Sequence, residues 1–130
     1  MATAERIFHL RPEAERAFGF AQARRSGNTL YVSGVLSVND RFEPQGAGDM
    51  KAQVSNVYDA IETTLRAFGV GLANVIRESI FVTDMAGFLE ANAVRVQRYH
   101  GHPLPTATAV EVRRLAFEPC MVEIEVVAEL

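Results

Sequence analysis

The stretch "NVIRESIFVTDMAGFLEANAVRVQRYHGHPLPTATAVEV", Asn74 to Val112, decides the fold. Its opening, "NVIRESIFVTD", is too short for a long helix. It holds Val75, Ile76, Ile80, Phe81 and Val82, β-branched and aromatic residues that suit a central strand. From Met85 the period changes. Phe88, Leu89, Val96 and Tyr99 recur at helical intervals up to Gly101, with Pro103 just beyond, which predicts a helix buried along those positions. A strand follows from Thr106 to Leu115, with Val110 and Val112 predicted to face the core and the small residues Ala107 and Ala109 the opposite side.

Upstream, Met50, Val54, Val57, Ile61, Leu65 and Phe68 step by three or four, so this segment reads as a helix with one buried face. Asp49 is placed to cap its start and Gly69 to end it. Further back, "FAQARRSGNTLYVSGVLSVND" gives two extended runs joined at Ser26-Gly27-Asn28, residues that tolerate the positive φ of a tight hairpin turn. Gly34 inside the second run marks a bulge or a close backbone approach. The residues before Phe20 read as an irregular start. At the other end, Val122, Ile124 and Val126 alternate with polar residues and predict a last strand, Met121 to Glu129.

The order β-β-α-β-α-β-β is that of an α+β sandwich, a mixed sheet with two helices on one face. Tyr31, Phe81, Ala107 and Ala109 have no third helix to cover them on the other face. Exposed apolar patches mark interfaces, so a homo-oligomer is expected.

At 130 residues the chain is sized for a single domain, residues 1–130. Its net charge of −3 lacks the basic footprint that neutralises phosphates, which makes nucleic acid an unfavourable partner. The single Cys120 has no internal disulfide partner, which fits a reducing cytoplasm. The first twenty residues show no continuous apolar run of the secretory kind, and no segment is apolar for the roughly 18 residues a membrane span requires.

Four blocks, "LYVSGVLSVN", "IFVTDMAGFLEANAVRVQRY", "PLPTATAVEVRRL" and "VEIEVVAEL", resemble in order those of the Rid family, the reactive intermediate deaminases, also called YjgF and once labelled L-PSP endoribonucleases. The resemblance runs from about Phe20 to Ala128. It implies a chorismate-mutase-like homotrimer with clefts between subunits. The activity it implies is hydrolysis of 2-imino and enamine acids to 2-oxo acids and ammonia, without metal or organic cofactor.

That chemistry needs a cation for the substrate carboxylate and a group that orients the attacking water. In the deaminase branch of the family the cation is an arginine two residues after the proline of a "PAR" block. Here the block reads "PTA" and the position is Ala107. Losing the partner of a buried carboxylate costs about 2–5 kcal/mol, so a standard 2-imino-acid deaminase should be crippled. Arg113 is roughly 20 Å further along an extended strand, too far to substitute. Arg24 and Arg25 stand as either cleft residues from another subunit or an exposed surface pair.

By the same resemblance, Glu123 of "VEIE" is the acidic residue that orients water, with Glu125 as its close competitor and a solvated strand carboxylate as the plainer reading. Ser33 and Asn92 match family positions near the cleft. Ser33 is also suited to bonding the bulge, and Asn92 to satisfying backbone groups. Phe20 stands where many relatives carry tyrosine, and Ala109 where many carry cysteine. Phe20, Ala107 and Ala109 all move the pocket toward apolar character, so the site reads as redesigned rather than damaged. Two functions follow: an enamine or imine hydrolase that dispenses with the usual arginine, or a non-catalytic small-ligand-binding or regulatory trimer. An endoribonuclease is disfavoured by the acidic charge.

His100 and His102 have the spacing of a zinc-binding pair, but no third ligand is marked, and histidine is favourable at a helix C-terminus in any case. Cys120 has no neighbouring base in sequence and reads as a small apolar filler.

Overall fold

The computed structural model describes residues 6–130. The absence of a secretory pattern was read partly from the first five residues, which lie outside that range. The elements are β1 (Ile7–Phe8), α1 (Pro12–Phe18), β2 (Ala23–Ser26), β3 (Thr29–Leu36), α2 (Met50–Arg66), β4 (Val75–Val82), α3 (Met85–Arg98), β5 (Thr106–Glu111) and β6 (Val122–Glu129). The strands form one mixed sheet in the order β1-β2-β3-β6-β4-β5. Only β4 and β5 run parallel, as the intervening helix requires. Helices α2 and α3 cover one face, as the sequence predicts.

The hairpin turns at Gly27, which has φ +60°. Asp49 caps α2 by accepting from the Ala52 amide at 3.0 Å, and Gly69 follows the helix end with φ +74°. The irregular start is corrected: residues 12–18 form a helix with Pro12 in its first turn and left-handed Gly19 behind it. Glu15 holds that helix in place. It is fully buried and accepts from the Arg11 amide at 2.8 Å, with His9 Nδ1 at 2.9 Å.

Two further readings are corrected. In α3 the buried positions are Phe88 and Ala91, and Tyr99 is buried just past the helix end, whereas Leu89 and Val96 are 64% and 50% exposed. The stripe that packs inward runs Phe88, Ala91, Arg95, Tyr99, and the arginine within it disguised the pattern. Beneath it lies Glu78, fully buried on β4, whose carboxylate accepts from Tyr58 Oη at 2.7 Å, Tyr99 Oη at 2.6 Å and Arg95 Nε at 2.8 Å. Burial, and then the Glu78 charge, push both tyrosine hydroxyls well above their ordinary pKa.

The faces of β5 are also the reverse of the expectation. Ala107 and Ala109 are register partners of Glu78 and Ile80, so they share the helix-covered side. Val110 partners Phe81 on the open side. Val110 is 42% exposed, and every residue of β5 is exposed because this edge strand lies beyond the reach of α3. Tyr31, 54% exposed, and Phe81 do lie on the open face. With them are Arg24, Glu123, Glu125 and Thr108.

Candidate functional site

Glu123 lies in β6 between Leu36 of β3 and Phe81 of β4. The β3–β6 register jumps between Val32 and Val35, so Ser33 and Gly34 together oppose a single residue, Glu125. This is the bulge that the glycine predicted. The reason for glycine is close approach: a Cβ on residue 34 would collide with Oε2 of Glu123. The carboxylate thus lies directly over the bulged backbone. Burial, then the neighbouring charge of Glu125, push its pKa above the ordinary carboxylate value. A carboxylate shifted that way is better matched to proton transfer near neutrality.

Beside Glu123 opens a cavity of about 110 Å³ walled by Phe18, Phe20, Phe42 and Phe117, with Gly34 at its edge. Phe20 stacks on Phe42 with centroids 6.0 Å apart and planes 5° apart. Phe18 meets Phe42 edge-on at 5.1 Å, and Phe117 lies 5.8 Å from Phe18. Phe42 has φ +61°, a left-handed conformation that bulky side chains rarely adopt. The Asn39 side chain imposes it by accepting from the Arg41 amide at 2.9 Å and the Glu43 amide at 3.0 Å, and the Phe42 amide donates to the Asn39 carbonyl at 3.0 Å. Strain of this kind persists where the surroundings over-determine it, and such positions cluster at functional sites.

Sequence reasoning missed the cation of this cavity. Arg11, half-buried just before α1, reaches into the lining and donates from Nη2 to the Val38 carbonyl at 2.9 Å. Its Nε is buried and has no hydrogen-bond partner among the described residues. Burial lowers the guanidinium pKa, opposed by the charges of Asp40 and Glu15. The only signal in the sequence was a lone arginine before a helix-starting proline.

Of the residues singled out from sequence, Phe20 and Glu123 come together in this cavity. Ser33 adjoins it, with its hydroxyl donating to the Ala21 carbonyl at 2.6 Å, the bulge-bonding role. Asn92 sits half-buried on α3, and Ala107 and Ala109 lie on the helix-covered side of β5. Within one chain these three are therefore separated from Glu123 by the sheet. Arg25 donates to the Gly27 carbonyl at 2.9 Å and Arg24 lies on the open face beside Tyr31. His100 and His102 are exposed beyond α3. Cys120 is buried against Val38 and Leu115, and burial followed by the Glu123 charge raises its thiol pKa, as suits a filler rather than a nucleophile.

A family model described as Endoribonuclease L-PSP matches residues 10–130. A RutC family protein of Sulfurisphaera tokodaii is 35% identical over 108 residues, covering 83% of this chain and 85% of that protein. A 2-iminobutanoate/2-iminopropanoate deaminase of Dermatophagoides farinae is 27% identical over 115 residues, 88% of each chain. Among solved structures, a YjgF/YER057c/UK114 family member from Mycobacterium tuberculosis superposes with a TM-score of 0.82 at 31% identity, covering 95% of this chain and 98% of that one.

Proposed function

Because the chain belongs to the Endoribonuclease L-PSP family, also called Rid or YjgF, we propose that it binds a small metabolite beside Glu123 and hydrolyses an enamine- or imine-type bond there. The observation that carries this reading is the Glu123 carboxylate itself. It is half-buried, lifted in pKa, laid over Gly34 and directed to an aromatic-walled cavity. The similarity to a 2-iminobutanoate/2-iminopropanoate deaminase supports the reaction class.

In this mechanism Glu123 accepts a proton from water as the water oxygen bonds to the C=N carbon and the π pair moves to nitrogen. The same carboxyl then returns the proton to nitrogen. Glu123 next takes the hydroxyl proton and passes it to the amino nitrogen as the C–N bond breaks and the C=O bond forms, so that a carbonyl product and ammonia leave. The phenylalanines give the reacting carbon an apolar wall. The alanine at position 107 supports a substrate different from that of the standard deaminases, or one held differently. The open face, with Tyr31, Phe81 and Val110, supports assembly into a homotrimer that adds walls to the site.

The test is ammonia release from freshly generated 2-iminopropanoate and from the bulkier 2-imino acid formed by oxidation of leucine. 2-Iminopropanoate should release ammonia no faster than in buffer, the bulkier substrate should turn over, and Glu123→Gln should abolish that turnover. A second reading, a non-catalytic ligand-binding trimer, is favoured by Ala107, a methyl group where catalytic relatives carry a charge. Ligand binding that survives Glu123→Gln in a protein with no turnover would select it.

A further inference from the structure

We propose that Phe42 sets the size limit of the Glu123 cavity, admitting a branched alkyl group and refusing a phenyl ring, and that Asn39 is the positioning residue that holds Phe42 in place. The inference rests on the reading of this cavity as the ligand site and adds the class of side chain that the ligand carries.

Three observations single out Phe42. First, it is the hub of the aromatic wall. Its ring meets Phe18 at 5.1 Å, Phe117 at 5.9 Å and Phe20 at 6.0 Å, so rings from α1, from the segment behind it and from the β5–β6 loop all rest on this one side chain. Second, it is the one non-glycine residue with positive φ among the described residues. Filling the core does not require that. The neighbouring cluster of Val38, Leu115 and Cys120 is fully formed without it, and Phe42 packs against that cluster only partly buried. A left-handed backbone at a bulky residue persists where its surroundings hold it against its own preference.

Third, the holding is done on the exposed side of the loop. Asn39 Oδ1 accepts from the amides on both sides of Phe42, and its Nδ2 donates to Glu43 Oε1 at 2.7 Å, an oxygen that Arg41 Nη2 also reaches at 3.1 Å. The polar side chains of the loop thus satisfy one another, and the phenyl ring is left to line the cavity.

The space that remains beside the ring is about 110 Å³. An apolar cavity of roughly 150 Å³ is the size that admits benzene, so a phenyl group is too large here while an isopropyl or isobutyl group fits. Forcing a larger group into a packed apolar site pushes side chains off their rotamers, and this loop is already clamped. Phe42→Gly adds the space of the missing ring and also suits the left-handed backbone.

The probes are 4-methylpentanoate and 3-phenylpropanoate, which share a stem and head group and differ only in isopropyl against phenyl, titrated against the full chain by NMR. The wild type should bind the branched probe at least about tenfold more tightly, the scale on which an apolar pocket discriminates by size. Phe42→Gly should abolish or reverse that preference. Asn39→Ala should lower it by about threefold or more, whereas Asn39→Asp, which keeps the acceptor for both amides, should preserve it. Melting curves establish which variants are folded, and the Asn39 pair decides if Phe42→Gly is not. Equal binding of the two probes by the wild type, binding of neither, or an unchanged preference in Phe42→Gly or Asn39→Ala would overturn the proposal.

The catalytic reading fails separately, in the ammonia assay with the 2-imino acids of leucine and phenylalanine. Glu123-dependent turnover whose selectivity is unmoved by Phe42→Gly overturns the size limit alone. A Phe42-dependent probe preference without any ammonia release overturns the hydrolase and leaves the size limit standing.

Discussion

The sheet carries two carboxylates that the protein treats in opposite ways. Glu78, on the helix-covered face, is saturated: one oxygen takes both tyrosine hydroxyls at 2.7 and 2.6 Å, and the other takes Arg95 through Nε at 2.8 Å and Nη2 at 2.7 Å. Glu123, on the open face, rests on the glycine of a bulge beside another acid, with its pKa raised. The first has no acceptor capacity left for a ligand, and its worth is structural. The second keeps its capacity and is destabilised in its charged form, which is the condition a catalytic or ligand-reading group needs.

Breaking the saturated carboxylate should have the largest effect on stability. Glu78→Leu leaves the Arg95 guanidinium buried without its counter-charge and two tyrosine hydroxyls without their acceptor. The expected loss is about 3–5 kcal/mol in chemical denaturation. Next comes Phe42→Gly. It relieves a left-handed backbone worth roughly 1–2 kcal/mol but removes an aromatic side chain worth about 3–5, for a net loss of about 1–4 kcal/mol and an open cavity wall.

Gly34→Ala should cost less in stability, about 1 kcal/mol, because the Glu123 side chain can swing away from the new methyl. Activity should nevertheless fall tenfold or more, since the displaced carboxylate no longer faces the cavity. Unchanged activity would mean that the position of Glu123 over the bulge is incidental. The smallest effect has the opposite sign. Because folding raises the Glu123 pKa, the folded state holds that proton more tightly than the unfolded chain. The stability deficit is absent below the ordinary carboxylate pKa and develops as pH rises through the raised value. Glu123→Gln should therefore raise the melting temperature slightly at pH 7–8 and not at pH 3.

The two carboxylates also show what the sequence made legible. Alternation in "VEIE" put Glu123 on the open face, and a glycine within an apolar strand announced the bulge beneath it; each is a local rule applied to neighbouring residues. Glu78 and Arg95 were illegible because they occupy core positions as charges, so each breaks the apolar period on its own element and is explained only by the other, 17 residues away. Val110 misled for the converse reason. An apolar residue in a strand reads as core, but β5 is an edge strand with no helix above or below that position, and its faces follow from pairing with β4. Arg11 escaped because its place in the cavity lining follows from three-dimensional packing, which has no sequence signature.

The central claim, that the unsaturated carboxylate does the chemistry, is tested most directly by the rate of ammonia release from the freshly generated 2-imino acid of leucine with wild type and Glu123→Gln side by side. The account predicts acceleration by the wild type and a loss of at least about 100-fold in the variant, the scale of a missing general acid–base group, with the fold intact. A variant that releases ammonia as fast as the wild type would contradict it.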